Sequence, residues 1–103
     1  MAIAAMAGEN NSNIYSLSVF PNPFSNTTNI SFSIAQSAKV SLKVFDMNGR
    51  LVTTLANEQM QSGSHEIKWN VSDANGKSIP SGIYLLRMEA GNYSETKKLL
   101  VIK

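Results

Sequence analysis

The sequence lacks cysteine altogether and has a single histidine, His65, among its 103 residues. Without a thiol there is no disulfide framework and no cysteine nucleophile, and one imidazole leaves little for a metal centre. No apolar run approaches the ~20 residues that a membrane-spanning helix needs. Nine basic and seven acidic residues are interspersed and leave a net charge of only +2. Composition therefore predicts no membrane span and no nucleic-acid partner.

The length is that of one domain, because a chain of this size buries roughly 65% of its unfolded surface and can build a core without cross-links. The first residues are small and apolar, and they lead into the polar stretch Glu9-Asn-Asn-Ser-Asn13. Such a composition is typical of linkers. We interpret residues 1–13 as a flexible linker or a cloning remnant, and we predict a folded domain over residues 14–103.

Apolar and polar residues then alternate with a period of two. Ile30, Phe32 and Ile34, for example, alternate with asparagine and serine, which indicates a β-strand with one buried face. Turn signals separate such runs, including the hairpin signal Asp46-Met-Asn-Gly49 and the polar turn Asp73-Ala-Asn-Gly76. The pattern predicts about seven strands, over residues 14–20, 28–35, 39–46, 50–56, 64–71, 82–89 and 93–102.

Short strands with frequent turns favour two packed antiparallel sheets. The sequence therefore predicts an all-β fold, an immunoglobulin-like sandwich of about seven antiparallel strands in two sheets, with a small barrel as the structural alternative. Alternation places Trp69 on an inward face, where a large ring fills the space between the sheets. The residues that we expect as its neighbours are Phe32, Val44 and Tyr84.

A carbohydrate-binding module is a competing interpretation of the same aromatic residues. It would stack sugars on exposed rings, and the candidates are Tyr15, Phe24, Trp69 and Tyr93. The inward position of Trp69 argues against such a platform.

The residue types of an enzyme active site are missing. His65 has Glu66 beside it, but neighbours on a strand point to opposite faces, and we expect His65 to face solvent without a catalytic role. Asp73-Ala-Asn-Gly76 has the oxygen ligands of a calcium loop but lacks a later bidentate glutamate, so an Asx turn explains it. We predict no catalytic residue, no metal site and no cofactor.

Two further segments carry more specific information. In Val19-Phe-Pro-Asn-Pro-Phe24, Pro21 and Pro23 fix φ and lack a donor, so we expect a rigid crossover that Phe20 and Phe24 pin to the core. The sequence closes with the apolar, β-prone Leu99-Leu-Val-Ile102, which lysines bracket. Such a strand either completes a sheet, with lysines that protect its edge, or is an address that another protein recognises.

Four motifs in order carry a resemblance to a known family: Phe20-Pro-Asn-Pro-Phe24, Val44-Phe-Asp-Met-Asn-Gly-Arg-Leu-Val52, Ser81-Gly-Ile-Tyr-Leu-Leu-Arg87 and the final Lys97-Lys-Leu-Leu-Val-Ile-Lys103. Over residues 17–103 the chain resembles the type A C-terminal sorting domain of the type IX secretion system of Bacteroidetes. The positions that match the family's motifs are Pro21, Asn22, Pro23, Gly49, Gly82, Tyr84, Lys97, Lys98 and Lys103.

The resemblance implies an immunoglobulin-like domain that follows a secreted cargo protein in the same chain. It implies export of that cargo through the outer-membrane translocon to the cell surface or the medium. A surface sortase-like peptidase then removes the domain and can attach the cargo to the cell surface. The protein partners are therefore the translocon and the peptidase, and the domain itself is not an enzyme.

We expect the last hairpin to be the recognised part. Strand addition at its edge and contacts of its lysines with an acidic surface would provide the affinity. The residues predicted to take part are Gly82, Tyr84, Lys97, Lys98, Leu99, Val101 and Lys103. The alternatives are a structural spacer, the carbohydrate-binding module, and the immunoglobulin-like domain of flagellar hook-capping proteins, which has similar Phe-Pro-Asn-Pro-Phe and Gly-Ile-Tyr motifs.

Overall fold

A computed structural model of the chain describes residues 15–103. The linker predicted for residues 1–13 lies outside this part. The described residues form seven strands: β1 (Ser16–Phe20), β2 (Thr28–Ile34), β3 (Ala38–Phe45), β4 (Leu51–Met60), β5 (Gly63–Trp69), β6 (Gly82–Ala90) and β7 (Tyr93–Val101). They contain no helix, and hence none that could cross a membrane.

The strands form two antiparallel sheets that pack face to face. One sheet has the order β1-β2-β5 and the other the order β4-β3-β6-β7. The predicted all-β sandwich of seven strands is therefore confirmed. In the four-plus-three immunoglobulin constant arrangement the fourth strand belongs to the sheet of the first two. Here the tight turn after Phe45 returns the chain directly onto β3, so β4 joins the other sheet.

The strand bounds lie within two residues of the sequence prediction except in β4, which we expected to end at residue 56 and which continues to Met60. Beyond Ala56 the inward alternation stops, because Asn57, Glu58 and Gln59 are all exposed. An edge strand tolerates this, since its backbone hydrogen bonds to β3 hold it without burial of side chains. The sequence pattern therefore missed the polar half of the strand.

The core lies between the sheets and consists of the inward residues of both. Ile30, Phe32 and Ile34 from one sheet meet Val40, Leu42 and Val44 from the other, and all six are at most 1% exposed. Trp69 belongs to the same cluster, as predicted, and its ring packs edge-to-face on Phe24 with 5.9 Å between centroids. The Trp69 Nε1 donates to the carbonyl oxygen of Ser72 at 3.1 Å.

Two turns of the chain have the same hydrogen-bond pattern. In Asp46-Met-Asn-Gly-Arg50 the Asp46 Oδ1 accepts from the amides of residues 48 and 50, and in Asp73-Ala-Asn-Gly-Lys77 the Asp73 Oδ1 accepts from those of residues 75 and 77. Gly49 and Gly76 adopt φ values of 84° and 82°, which favour glycine. The Asx turn predicted at Asp73 is confirmed.

Two expectations about single side chains are wrong. Phe20 is 78% exposed, so only Phe24, at 4%, pins the proline segment to the core. The alternation of β1 explains this, because Leu17 and Val19 take its inward positions and leave Phe20 outside. His65 is half-buried rather than solvent-facing, and its ring stacks on Phe32 with 5.3 Å between centroids.

Candidate recognition surface: the last hairpin and the proline segment

The last hairpin consists of β6 and β7, and its register fixes which residues can be presented. Gly82 pairs with Val101, Tyr84 with Leu99, and Leu86 with Lys97. Tyr84, Leu86 and Met88 point inward, as expected from the sequence. Gly82 opens the strand with a φ of 153°, a backbone conformation that side chains rarely adopt.

Tyr84 supports the hairpin from inside. It is 6% exposed, and its hydroxyl donates to the carbonyl oxygen of Pro80 at 2.7 Å, four residues upstream. Burial, together with the nearby charge of Asp46, raises the pKa of Tyr84 above its usual value. This arrangement resembles the tyrosine corner of β-sandwiches. In the folded domain Tyr84 is therefore an anchor of the hairpin and not a contact surface.

Leu99 and Val101 are buried as well. They are 0% and 1% exposed and belong to the core cluster between the sheets. The alternation of β7 instead turns Leu100 and, beyond the strand, Ile102 to solvent, with exposures of 38% and 51%. The folded domain thus presents Leu100 and Ile102 to a partner, whereas the sequence prediction named Leu99 and Val101.

The three lysines do not form one basic group. Lys97 lies on the inward side of β7, where its Nζ is 3.4 Å from Glu95 Oε2, whereas Lys98 points to the outer face. Lys103 lies beyond the strand, and its backbone amide donates to Ser81 Oγ at 3.0 Å. Its side-chain ammonium also contacts the Ser78 hydroxyl. Of these three lysines, Lys98 and Lys103 are exposed and Lys97 is half-buried.

An aromatic pair closes the inward side of β7 near its start. The rings of Tyr15 and Tyr93 stack with 4.6 Å between centroids, and the Tyr93 hydroxyl bonds to Glu95. Burial, and then the hydrogen bond and charge of Glu95, raise the pKa of Tyr93 to about 12. Since Phe24 and Trp69 are buried elsewhere, the four rings do not form the platform that a carbohydrate-binding module would need.

The proline segment, residues 20–24, runs along the outer edge of β7. The Asn22 Nδ2 donates to the carbonyl oxygen of Lys98 at 2.9 Å, and its Oδ1 accepts from the Leu100 amide at 3.0 Å. The Phe24 backbone continues the pairing, because its amide donates to the Leu100 oxygen at 3.0 Å and its oxygen accepts from the Ile102 amide at 2.9 Å. The Asn22 side chain thus pairs with β7 as the backbone of a neighbouring strand would, and it covers the C-terminal half of this edge.

The local geometry of the proline segment fits this position. Both Phe20-Pro21 and Asn22-Pro23 are cis peptide bonds. The Pro21 carbonyl oxygen accepts from the buried Thr28 hydroxyl at 2.7 Å, which ties the segment to β2. Sequence reasoning found the rigid crossover but missed the pairing of Asn22 with β7. The available signal for this pairing was an asparagine between two prolines, because proline has no backbone N–H that could donate a hydrogen bond.

Asn22→Asp is expected to lower the free energy of unfolding by about 1–2 kcal/mol. The carboxylate can still accept from the Leu100 amide, but it cannot donate to the Lys98 oxygen and would lie against it. Urea denaturation at neutral pH measures the loss. Asn26→Asp is the matched control, because Asn26 is exposed in the same loop and its side chain makes no hydrogen bond within residues 15–103. Equal stability of the two variants would contradict the pairing.

Comparison with known proteins places this geometry in context. The family described as the secretion system C-terminal sorting domain matches residues 18–103. The fold is similar to part of latent PorU from Porphyromonas gingivalis, with a TM-score of 0.71 and 23% identity over 86% of this chain and 9% of PorU. It is also similar to part of PorZ, a surface component of the type IX secretion system of the same organism. The TM-score there is 0.57, with 26% identity over 85% of this chain and 12% of PorZ.

The hook-capping alternative has a weaker match. The basal-body rod modification protein FlgD of Salmonella typhimurium is 31% identical over 67 residues, which are 64% of this chain and 29% of FlgD. The chain therefore spans less than a third of the length of this curated relative. The sorting-domain match, in contrast, begins in β1 and includes every later strand, so the hook-capping alternative is not favoured.

The sorting-domain match also contains all the motifs on which the resemblance rested. The proline segment, the Gly49 turn, and Gly82 and Tyr84 of the hairpin all lie within residues 18–103. The family is one of sorting signals and not of catalysts. The chain belongs to the family of C-terminal sorting domains of the type IX secretion system.

Proposed function

We propose that this domain directs an upstream cargo protein in the same chain through the outer-membrane translocon of the type IX secretion system. A sortase-like peptidase at the surface then removes the domain and can attach the cargo to the cell surface. The observation that carries the proposal is the family match across residues 18–103. The cargo reaches the cell surface or the medium, and the domain contributes no catalytic group.

Within this function the predicted recognition residues divide into two groups. Gly82, Tyr84, Leu99 and Val101 act through the hairpin that they hold in place, because Gly82 opens β6 and the other three side chains are buried. Lys98 and Lys103 act directly, since they are exposed on or next to β7. Lys97 belongs to the first group, because it is half-buried and faces Glu95.

An export assay tests the proposal. Residues 1–103 are fused behind a periplasmic reporter and expressed in a host with an active type IX system and in a strain that lacks the translocon. We expect the reporter in the medium or on the surface of the first strain and only in the periplasm of the second. A processed reporter without the domain is expected after export. Retention in the periplasm of both strains would favour a structural spacer.

The variant with Lys98→Ser and Lys103→Ser tests direct recognition by the lysines. We expect it to reduce the exported reporter severalfold, because two exposed cations are lost while the buried Leu99 and Val101 remain. Its matched control is Lys68→Ser, which removes an exposed lysine from β5 in the other sheet. Equal export of the two variants would exclude direct recognition by Lys98 and Lys103.

A further inference from the structure

The outer face of the four-stranded sheet carries an apolar patch that no strand of the described chain covers. The register places Ile83 opposite Leu100, Leu85 opposite Phe45, and Phe45 opposite Leu51. Three of these residues, Ile83, Leu100 and Leu51, are 38–53% exposed, and the other two are half-buried. None of the five belongs to the core cluster or packs against it. The patch consists of Leu51, Phe45, Leu85, Ile83 and Leu100.

Basic residues border this patch. Lys43 and Arg87 face each other directly across β3 and β6, and Lys98 lies opposite Leu85. Like charges in directly opposed positions destabilise a sheet, so the fold gains nothing from this pair. No carboxylate in residues 15–103 forms an ion pair with Lys43, whereas Arg87 is 3.1 Å from Glu89. We call Lys43, Arg87 and Lys98 the basic border.

A shallow hollow of about 260 Å³ lies where the patch and the border meet. Its lining consists of Phe45, Leu85, Arg87, Gly49 and Thr96. A Cβ atom added at position 49 would meet no atom within 4 Å, but the φ of 84° keeps the position favourable for glycine. The hollow has an apolar floor and a guanidinium at its rim. It therefore fits one apolar side chain with a carboxylate next to it.

We propose that this outer face, the apolar patch together with its basic border, is the surface through which the domain docks on a protein partner of the export machinery. The partner presents an apolar side chain flanked by carboxylates. This inference rests on the proposed function and names the partner's chemistry. This surface is distinct from the β7 edge, where a partner could bind by strand addition. Asn22 and Phe24 already cover the C-terminal half of that edge.

Charge arrangement favours a protein over an anionic lipid surface. Glu89 lies next to the basic border and forms an ion pair with Arg87, so a layer of phosphates would meet a carboxylate at the same place. A protein can place a donor opposite Glu89 and carboxylates opposite Lys43 and Lys98. The hollow also accommodates a single side chain, which a protein partner can supply and a lipid bilayer cannot.

The key variant is Lys43→Glu. It replaces the like-charged pair with an ion pair to Arg87, so the thermal midpoint is expected to rise by about 2 °C. The same variant places a negative charge on the docking surface, and we expect the exported reporter to fall at least severalfold. A higher thermal midpoint together with less exported reporter would show that Lys43 acts in docking and not in stabilising the fold. Lys68→Glu, on the outer face of the other sheet, is the matched control and should export normally.

The apolar patch is tested with Leu85→Ser, and Lys68→Ser is its control, because Lys68 is an exposed residue on the outer face of the other sheet. We expect only Leu85→Ser to reduce export while both variants keep a cooperative thermal transition. Export of the unchanged domain must be seen first, and its failure refutes the proposed function. If that domain is exported and both Lys43→Glu and Leu85→Ser are exported equally well, the docking surface is wrong and the sorting function stands.

A direct binding measurement uses the 103-residue chain and a synthetic peptide, acetyl-Gly-Asp-Phe-Glu-Gly-amide, followed by NMR. We expect amide shifts confined to the hollow and the border, at Phe45, Leu85, Arg87 and Thr96, and abolished by Lys43→Glu. Absence of these shifts at millimolar peptide would overturn the proposal. Binding to phosphatidylglycerol vesicles in place of the peptide would overturn it in favour of a membrane surface. A dimer in sedimentation that Leu85→Ser dissociates would overturn it in favour of a second copy.

Discussion

Deletion of residues 99–103 is expected to unfold the domain. The deletion removes Leu99 and Val101, which are at most 1% exposed, and buried aliphatic residues contribute about 2–5 kcal/mol each by truncation. It also removes the pairing of Leu100 and Ile102 with Phe24. Single domains are stable by only about 5–15 kcal/mol, so we expect no cooperative transition in thermal denaturation followed by circular dichroism.

Deletion of residues 102–103 alone is the control for this experiment. Ile102 is 51% exposed, and its loss removes the hydrogen bond from its amide to the Phe24 oxygen but no core side chain. The shorter deletion is expected to keep a cooperative transition. A cooperative transition at an unchanged temperature after the longer deletion would contradict the packing described above. Loss of export by the longer deletion therefore reports an unfolded domain and not a lost address.

Trp69→Ala is expected to lower the free energy of unfolding by about 3–5 kcal/mol. The indole is 4% exposed, packs edge-to-face on Phe24, and donates to the Ser72 carbonyl oxygen. Its removal leaves a cavity and a carbonyl without its donor. Guanidinium denaturation measures the loss, and each kcal/mol corresponds to about 4–8 °C in the thermal midpoint of a domain of this size.

A double-mutant cycle links Trp69 to the proline segment. Trp69→Ala and Phe24→Ala are measured singly and together, and we expect a coupling free energy of about 0.5–1.5 kcal/mol, the range of aromatic pairs. Tyr15→Ala combined with Trp69→Ala provides the control, because Tyr15 stacks on Tyr93 and not on Trp69. A coupling near zero for Phe24 and Trp69 would show that the two rings contribute independently.

Much of the fold could be predicted because alternation is a local property. Tyr84, Leu86 and Met88 point inward as their spacing requires, and the Asp-x-Asn-Gly sequences form the expected turns. Burial of Trp69 followed from the same rule. The position of Phe20 was predicted wrongly. The inward positions of β1 belong to Leu17 and Val19, and the proximity of Phe20 to Pro21 does not change that alternation.

The candidate site was less predictable, because it depends on which distant strands meet. Lys97, Lys98 and Lys103 are close together in the sequence. In the structure Lys97 and Lys98 point to opposite faces of β7, and Lys103 lies beyond the end of that strand. The opposition of Lys43 and Arg87 exists only through the register of β3 with β6. Similarly, the prolines beside Asn22 signal that its side chain can pair, but they do not identify a partner 76 residues away.

Family membership makes the domain a sorting signal for secretion, and the structure separates two demands on its last strand. Leu99 and Val101 hold the strand in the core, while Leu100 and Lys98 belong to the outer face. Substitutions of the first pair therefore change stability, whereas substitutions of the second pair change the presented surface. Mutational studies of export need this distinction, which the alternating pattern of β7 provides.

The pairing of Asn22 with Lys98 and Leu100 also sets the order of events during biosynthesis. These hydrogen bonds join residues 76 and 78 positions apart, and β7 contributes the last strand of its sheet. A ribosome must therefore release nearly the whole domain before the first and last strands can meet, and contacts of such long range make folding slow. Folding of the domain is consequently not complete until its last strand is available to pair.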